Sequence, residues 1–277
     1  MDNSTVSDDY QSAVATVGKP GGGPDLARSW DEYEANAGTD HVFTIAFGGK
    51  AKLSGMWTPD RMVADFVAAH PGSTIGFLAV DPTVDGWQDE LRYGHQELGL
   101  KGVKIMPMYA GFDPSDPAID PLYEYCTANG LPILSHTGTT YAREAVLDYA
   151  HPGLFDRVAR RFPEQKLVLA HMGHPFEGEC IATFRKHPNV YADISALCYR
   201  PFQLWRALML AQEYDVMGKL LFGTDFPFTT VDEAVAGVRQ LAEVKLPGMH
   251  GLDPEQLEGI IFRDSLALLG LERPVRS

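Results

Sequence analysis

The chain has 277 residues, 45% apolar and 22% charged, an ordinary globular balance. Its 37 acids against 23 lysines and arginines give a net charge of −14, a field that repels a phosphate backbone and excludes nucleic acid as a partner. No apolar run approaches the roughly 18 residues of a membrane span, and the first residues lack the basic-then-apolar layout of a secretory signal.

Residues 1–28 are polar and then glycine-rich (GKPGGGP) and read as a loose N-terminal arm, with SAVATVG a brief strand or helical turn within it. From Ser29 the pattern becomes regular. SWDEYEANAG places an N-cap serine before early acids and a closing glycine, a helix signature. HVFTIAF (41–47) then reads as a strand, DRMVADFVAAH as a helix, STIGFLAV (73–80) as a strand and GWQDELRYGHQELG as a helix. The alternation continues through strand GVKIM (102–106), helix PLYEYCTANG, strand LPILSH (131–136), helix LFDRVARRFP and strand KLVLAH (166–171). Helix GECIATFRKHP, strand NVYADIS (189–195), helix FQLWRALMLAQEYDVMG and strand KLLFGTD (219–225) follow. Two further helices, VDEAVAGVRQLAEV and DPEQLEGIIFRDSLALLG, close the chain. The strand runs are near-continuous rather than alternating, as in parallel strands buried on both faces. Strict alternation implies βαβ units with right-handed crossovers, hence an α/β fold. Seven strands are legible, so a (β/α)8 TIM barrel is expected with its first strand missing or irregular. Residues 29–277 are read as one TIM-barrel catalytic domain. Cys126, Cys180 and Cys198 are odd in number and form no CxxC pair, which fits a reducing cytoplasm.

Three strand runs end in chemically capable side chains: His136, His171 and Asp225. In a barrel the C-terminal strand ends share one mouth, so these residues converge there. Two imidazoles and a carboxylate suit a divalent metal such as zinc, with a neighbouring histidine or aspartate moving the proton. His174, three residues past His171 and followed by Pro175, either lines the mouth or caps the next helix. Lys104 lies inside an apolar run, where an unpaired charge is costly, so it meets an anion, an acid or a cavity, or snorkels to the barrel end. Asp193 in YADIS raises the same question, and Arg200 in SALCYRPF faces either an anionic substrate or solvent. His41, His70, His95, His151, His187 and His250 sit at strand starts, helix ends or loops and are assigned no role.

The stretches GVKIMPMYAGFDPSDP, GLPILSHTGTT, FPEQKLVLAHMGHPF, HPNVYADIS and KLLFGTDFPF, in that order, resemble the amidohydrolase superfamily. Within it they are similar to the metal-dependent branch that includes aminocarboxymuconate semialdehyde decarboxylase, from about Trp30 to Leu271. The resemblance implies one divalent metal, zinc with manganese as the other choice. It implies His136 and Asp225 as metal ligands and His171 as the catalytic imidazole that polarises substrate or shuttles a proton. In hydrolytic members Asp225 would also be the catalytic base. Lys104, His174, Asp193 and Arg200 remain substrate-binding candidates. The departure is that the family's opening strand ends in His-x-His, and this sequence contains no His-x-His. The expectation is a chain that starts downstream of that strand or has lost it, with weakened metal affinity and an open seam between the second and eighth strand positions. The readings that follow are a metal-dependent hydrolase of a small C–N or C–O carbonyl substrate, then a non-oxidative decarboxylase of an aromatic or dienoic acid, then an inactive binding or scaffold barrel. A small-molecule substrate, no membrane partner and a possible homodimer complete the expectations.

Overall fold

The computed structural model of the chain describes residues 28–37 and 44–274, so the expected arm, save Arg28, lies outside the described residues, as does His41. In chain order the strands are β1 (Thr44–Phe47), the hairpin β2 (Lys50–Ala51) and β3 (Met56–Trp57), β4 (Thr74–Val80), β5 (Val103–Ile105), β6 (Ile133–Ser135), β7 (Leu167–Leu169), β8 (Val190–Asp193) and β9 (Leu220–Leu221). All but the hairpin pair in parallel, in the order β1-β4-β5-β6-β7-β8-β9, and this seven-stranded sheet curls into a TIM-barrel fold. The helices are α1 (Trp30–Ala37), α2 (Asp60–Ala69), α3 (Trp87–Arg92), α4 (Pro107–Ala110), α5 (Asp120–Ala128), α6 (Leu154–Arg161), α7 (Glu177–Lys186), α8 (Pro201–Glu213), α9 (Val231–Gln240), α10 (Pro254–Ile261) and α11 (Ser265–Leu269).

The near-continuous apolar strands have the expected physical cause. Leu78, Val80, Val103, Ile105, Ile133, Leu167, Leu169, Val190, Ala192 and Leu220 pack outward in one cluster with the helices. The alternate residues Ile75, Phe77, Leu134, Val168, Tyr191 and Leu221 form a second cluster on the inner face, joined by Leu266 and Leu269 of α11. Both faces of each strand are therefore apolar. Register puts Lys104 beside Leu134 and Ala79, on the inner face.

The seam between β1 and β9, the two ends of the sheet, is bridged by α1. Ser29 and Glu32 cap that helix reciprocally, the Glu32 N–H reaching Ser29 Oγ at 3.2 Å and the Ser29 N–H reaching Glu32 Oε2 at 3.1 Å. Trp30 packs on Phe66 and His70 of the α2 side, and Tyr33 stacks edge-on against Phe226, 5.0 Å away, on the β9 side. The Thr44 hydroxyl of β1 donates to Tyr33 Oη at 3.0 Å.

Two expectations are corrected, and two elements are new. KLLFGTD yields only two strand residues, Leu220–Leu221, because the chain leaves the sheet towards the turn at Asp225. The last helix is broken in two: the Arg263 guanidinium turns away to Leu220 O (3.0 Å) and Met217 O (3.2 Å), and Asp264 starts a new cap by accepting from Ala267 N–H. The hairpin β2–β3 and the short α4 were not foreseen. The hairpin carries Lys50, whose buried ammonium pairs with Asp60 and Glu90 at 2.7 Å each. His70 and His187 do end their helices, as their His-Pro pairs imply. The three cysteines are free and buried. Among the described residues no helix is long and apolar enough to cross a membrane.

Candidate active site

The C-terminal ends of β5 to β9 bring the expected residues together. His136 follows β6, its N–H tied to Ile105 O at 2.9 Å. Its ring lies edge-on to His171, 5.1 Å between centroids, and to Tyr109 of α4, 4.8 Å away. Burial, reinforced by the neighbouring His171 and Lys104, pushes the His136 imidazole well below the ordinary histidine value. It is a neutral ring at physiological pH.

His171 lies in the turn two residues past β7, in a left-handed conformation, φ 59° and ψ 26°, which a non-glycine residue rarely adopts. Its N–H donates to Asp193 Oδ1 at 3.0 Å, and its ring Nδ1 lies 2.8 Å from Ser195 Oγ. The Ser195 hydroxyl donates its only proton to Asp193 Oδ1, and the Ser195 N–H reaches the same oxygen at 3.0 Å. The serine oxygen therefore accepts from Nδ1–H, which fixes the tautomer and leaves the lone pair on Nε2. Asp193, 3.9 Å from Nδ1, stands ready to stabilise an imidazolium. Ser195 escaped the sequence reading. Its signal was the spacing Asp-x-Ser at a strand end, opposite a strand-end histidine.

Lys104 is 4% exposed, and its ammonium sits 4.8 Å above the Phe47 ring. Burial pulls its pKa down to about 8, while the charges of Asp193 and Asp225 pull the other way. The mouth is thus one electrostatic unit of Lys104, Asp193, Asp225 and His136. Asp225 occupies a second left-handed position, φ 54°, and its carbonyl accepts from Phe228 N–H at 2.8 Å. Burial raises the neighbouring Tyr199, which also feels Arg200 and Asp225.

Two further substrate-binding candidates have partners close by in sequence. The Arg200 guanidinium donates to Ala196 O at 2.6 Å and lies over the Tyr199 ring. His174 is buried, with its Nδ1 engaged by Glu177 Oε1 at 2.7 Å.

Among the described residues the donor set for a metal is incomplete. Catalytic zinc takes about three protein ligands plus water. Among the described residues no group of three or more His, Cys, Asp or Glu side chains is placed to hold a metal. His136 and Asp225, the expected ligands, do not by themselves form such a centre. Zinc or manganese added to the purified chain is accordingly expected to wash out on dialysis. A full equivalent retained in elemental analysis would show that other residues complete the site.

Residues 24–271 match the family described as amidohydrolase. Over 240 residues the chain is 26% identical to 2-amino-3-carboxymuconate-6-semialdehyde decarboxylase of Dictyostelium discoideum, covering 76% of this chain and 65% of the relative, so it spans just under two thirds of that protein. A TIM-barrel protein of uncharacterized function from Bordetella bronchiseptica superposes with a TM-score of 0.71 at 21% identity, covering 87% of this chain and 84% of that one. A 5-carboxyvanillate decarboxylase from Novosphingobium aromaticivorans, solved with bound manganese and 3-methoxy-4-hydroxy-5-nitrobenzoic acid, gives 0.57 at 16% identity, covering 76% and 69%. The two structural likenesses establish the barrel. With a family match over nearly its whole length, the chain belongs to the amidohydrolase family.

Proposed function

We propose that the protein catalyses non-oxidative decarboxylation of an aromatic or dienoic carboxylic acid. The observation that carries this is Lys104: a buried ammonium on the inner face, opening on a mouth with two imidazoles, is a ready partner for a substrate carboxylate. The sequence puts hydrolysis first. Decarboxylation moves ahead because the mouth holds this cation and because the Dictyostelium discoideum relative and the manganese-containing neighbour are both decarboxylases.

Lys104 would anchor the carboxylate against the Phe47 face. Neutral His136 would accept a hydrogen bond from an adjacent hydroxyl of the substrate. Protonated His171, its Nδ1–H held by Ser195, would deliver the Nε2 proton to the carbon bearing the carboxylate. The C–C bond then breaks, its electron pair returns to the ring or diene, CO2 leaves, and the proton stays on carbon. When bound, a divalent metal, zinc or manganese, supplies Lewis-acid chemistry in this family, but the described residues do not complete its donor set and no step above depends on it. The reading takes 29–277 as one catalytic domain acting on a small molecule in the cytoplasm, with a homodimer as its expected assembly.

Incubation with hydroxybenzoates, carboxylated dienoic acids, amides and lactones tests it. CO2 release from an acid is expected. Amide or lactone cleavage without CO2 would make the protein a hydrolase, and inertness towards every class would favour a binding or scaffold barrel.

A further inference from the structure

Next to the loop that carries His171 lies a polar cluster that the chemistry above does not use, with His174 and Glu177 buried and Arg206 half-exposed. Glu177, the first residue of α7, is 1% exposed. Its Oε1 meets His174 Nδ1 at 2.7 Å, and its Oε2 accepts from Arg206 of α8 at 2.5 Å. Burial pushes this carboxyl up, but the His174 and Arg206 donors outweigh it and hold it below the ordinary glutamate value. A buried carboxylate such as Glu177 seldom adds net stability over an apolar side chain, because desolvation offsets the attraction of its partners; what its two partners enforce is one geometry.

The backbone of His174 shows which geometry. Its N–H donates to His171 O at 2.9 Å, and its carbonyl accepts from Thr139 N–H at 2.6 Å. The Thr139 carbonyl in turn lies 3.4 Å from His136 Nε2. The two loops meet without slack: Gly138 has φ +89°, and a β-carbon there would come within 2.2 Å of His174 O. Gly173 is as tightly held, its missing β-carbon 2.1 Å from Pro152. One residue therefore ties the histidine after β6 to the histidine after β7.

We propose that Arg206, Glu177 and His174 form a positioning device that sets the spacing of the His136 and His171 rings. The three side chains bond to one another. They act through the loops, and their purpose rests on the decarboxylase reading only for what the two imidazoles then do.

The test uses the full chain labelled with 15N-histidine, with ring signals assigned from His136→Gln and His171→Gln. In Glu177→Ala, and to a lesser degree in Glu177→Gln, the ring signals of both His136 and His171 are expected to shift, while those of His70 and His95 stay. Asp156→Asn serves as the matched control: it removes the Lys186 and His187 partners of the same helix and is expected to lower stability without moving either site ring. Stationary site signals in a folded Glu177 variant, equal movement in Asp156→Asn, or failure of both Glu177 variants to fold would each overturn the proposal. Where an acid is turned over, Glu177→Ala is expected to lower kcat by about 100-fold with KM little changed, as a misplacement of roughly 1 Å does, and Glu177→Asp to recover part of it. If no acid is turned over, the decarboxylase reading fails and the spectra still decide this one.

Discussion

His171→Ala leaves the barrel folded and lowers turnover by about 10²- to 10⁴-fold, the range expected for loss of a positioned general acid–base. The geometry argues for an effect of this size. Three contacts converge on this residue and on its partner Asp193: the N–H to Asp193 Oδ1 at 3.0 Å, the ring Nδ1 to Ser195 Oγ at 2.8 Å, and the serine hydroxyl onto the same carboxylate. Together they fix the tautomer, so all proton traffic is left to Nε2. Alanine removes that nitrogen but keeps the backbone N–H on Asp193, so far-ultraviolet dichroism and the melting profile should change little. Turnover within about threefold of the parent in a folded His171→Ala protein would remove this histidine from the chemistry. Ser195→Ala should fall in between, because the ring remains and only its orientation is loosened.

Lys104→Met separates binding from proton transfer. Methionine retains the unbranched apolar stem above Phe47 and deletes the charge. Losing a buried charge partner costs about 2–5 kcal/mol, so kcat/KM for an acidic substrate should fall by at least about 30-fold, and calorimetric binding of a non-reactive aromatic acid should weaken in parallel. Unchanged affinity in the variant would move carboxylate recognition elsewhere. The pH dependence is a second check. The group titrates at about 8 in the folded chain against 10.5 for an ordinary lysine. Above pH 8 the folded protein loses the ammonium, and carboxylate affinity should decline by about tenfold per pH unit. Stability moves the other way: between about 8 and 10.5 the unfolded chain binds more protons than the folded one, so unfolding becomes harder as pH rises. Lys219, held to about 8 by burial, adds a like contribution, so Lys104→Met should reduce this rise without abolishing it. Binding and stability that changed in the same direction across this window would exclude Lys104 as the group responsible.

Much of the barrel was legible because each parallel strand is sandwiched between two apolar layers, which leaves unbroken runs such as TIGFLAV and LVL. Helix ends marked by Ser29, His70 and His187 were legible because capping is local chemistry. What escaped depends on distant partners. The hydrophobic period of EGIIFRDSLALL continues through Phe262, yet Arg263 leaves it to bind carbonyls at Met217 and Leu220, more than 40 residues away. The hairpin at Lys50 makes sense only with Asp60 and Glu90 in place. At the site, strand-end position sufficed to single out His136, His171 and Asp225, since a barrel gathers such ends by construction. Register was needed to decide that Lys104 faces inward, and only coordinates could show that His174 turns to Glu177, that Arg200 lies on its own loop, and that Ser195 stands between His171 and Asp193.

Among the described residues, His171, Met172, Ala196, Asp215 and Asp225 are the non-glycine residues with positive φ, and four of the five lie in the turns that follow β7, β8 and β9. Such positions cost about 1 kcal/mol or more each and favour glycine. A selection for heat resistance alone would therefore drift towards glycine at 171 and 225, the two places where a side chain carries the proposed chemistry. Ala196 offers the same relief without touching it, whereas Met172 does not, because its buried side chain fills the core and its loss would cost more than the backbone gains. Evolvability in this barrel is thus partitioned among its turns: the strain can be relieved at Ala196, but not where the side chain carries the proposed chemistry or fills the core.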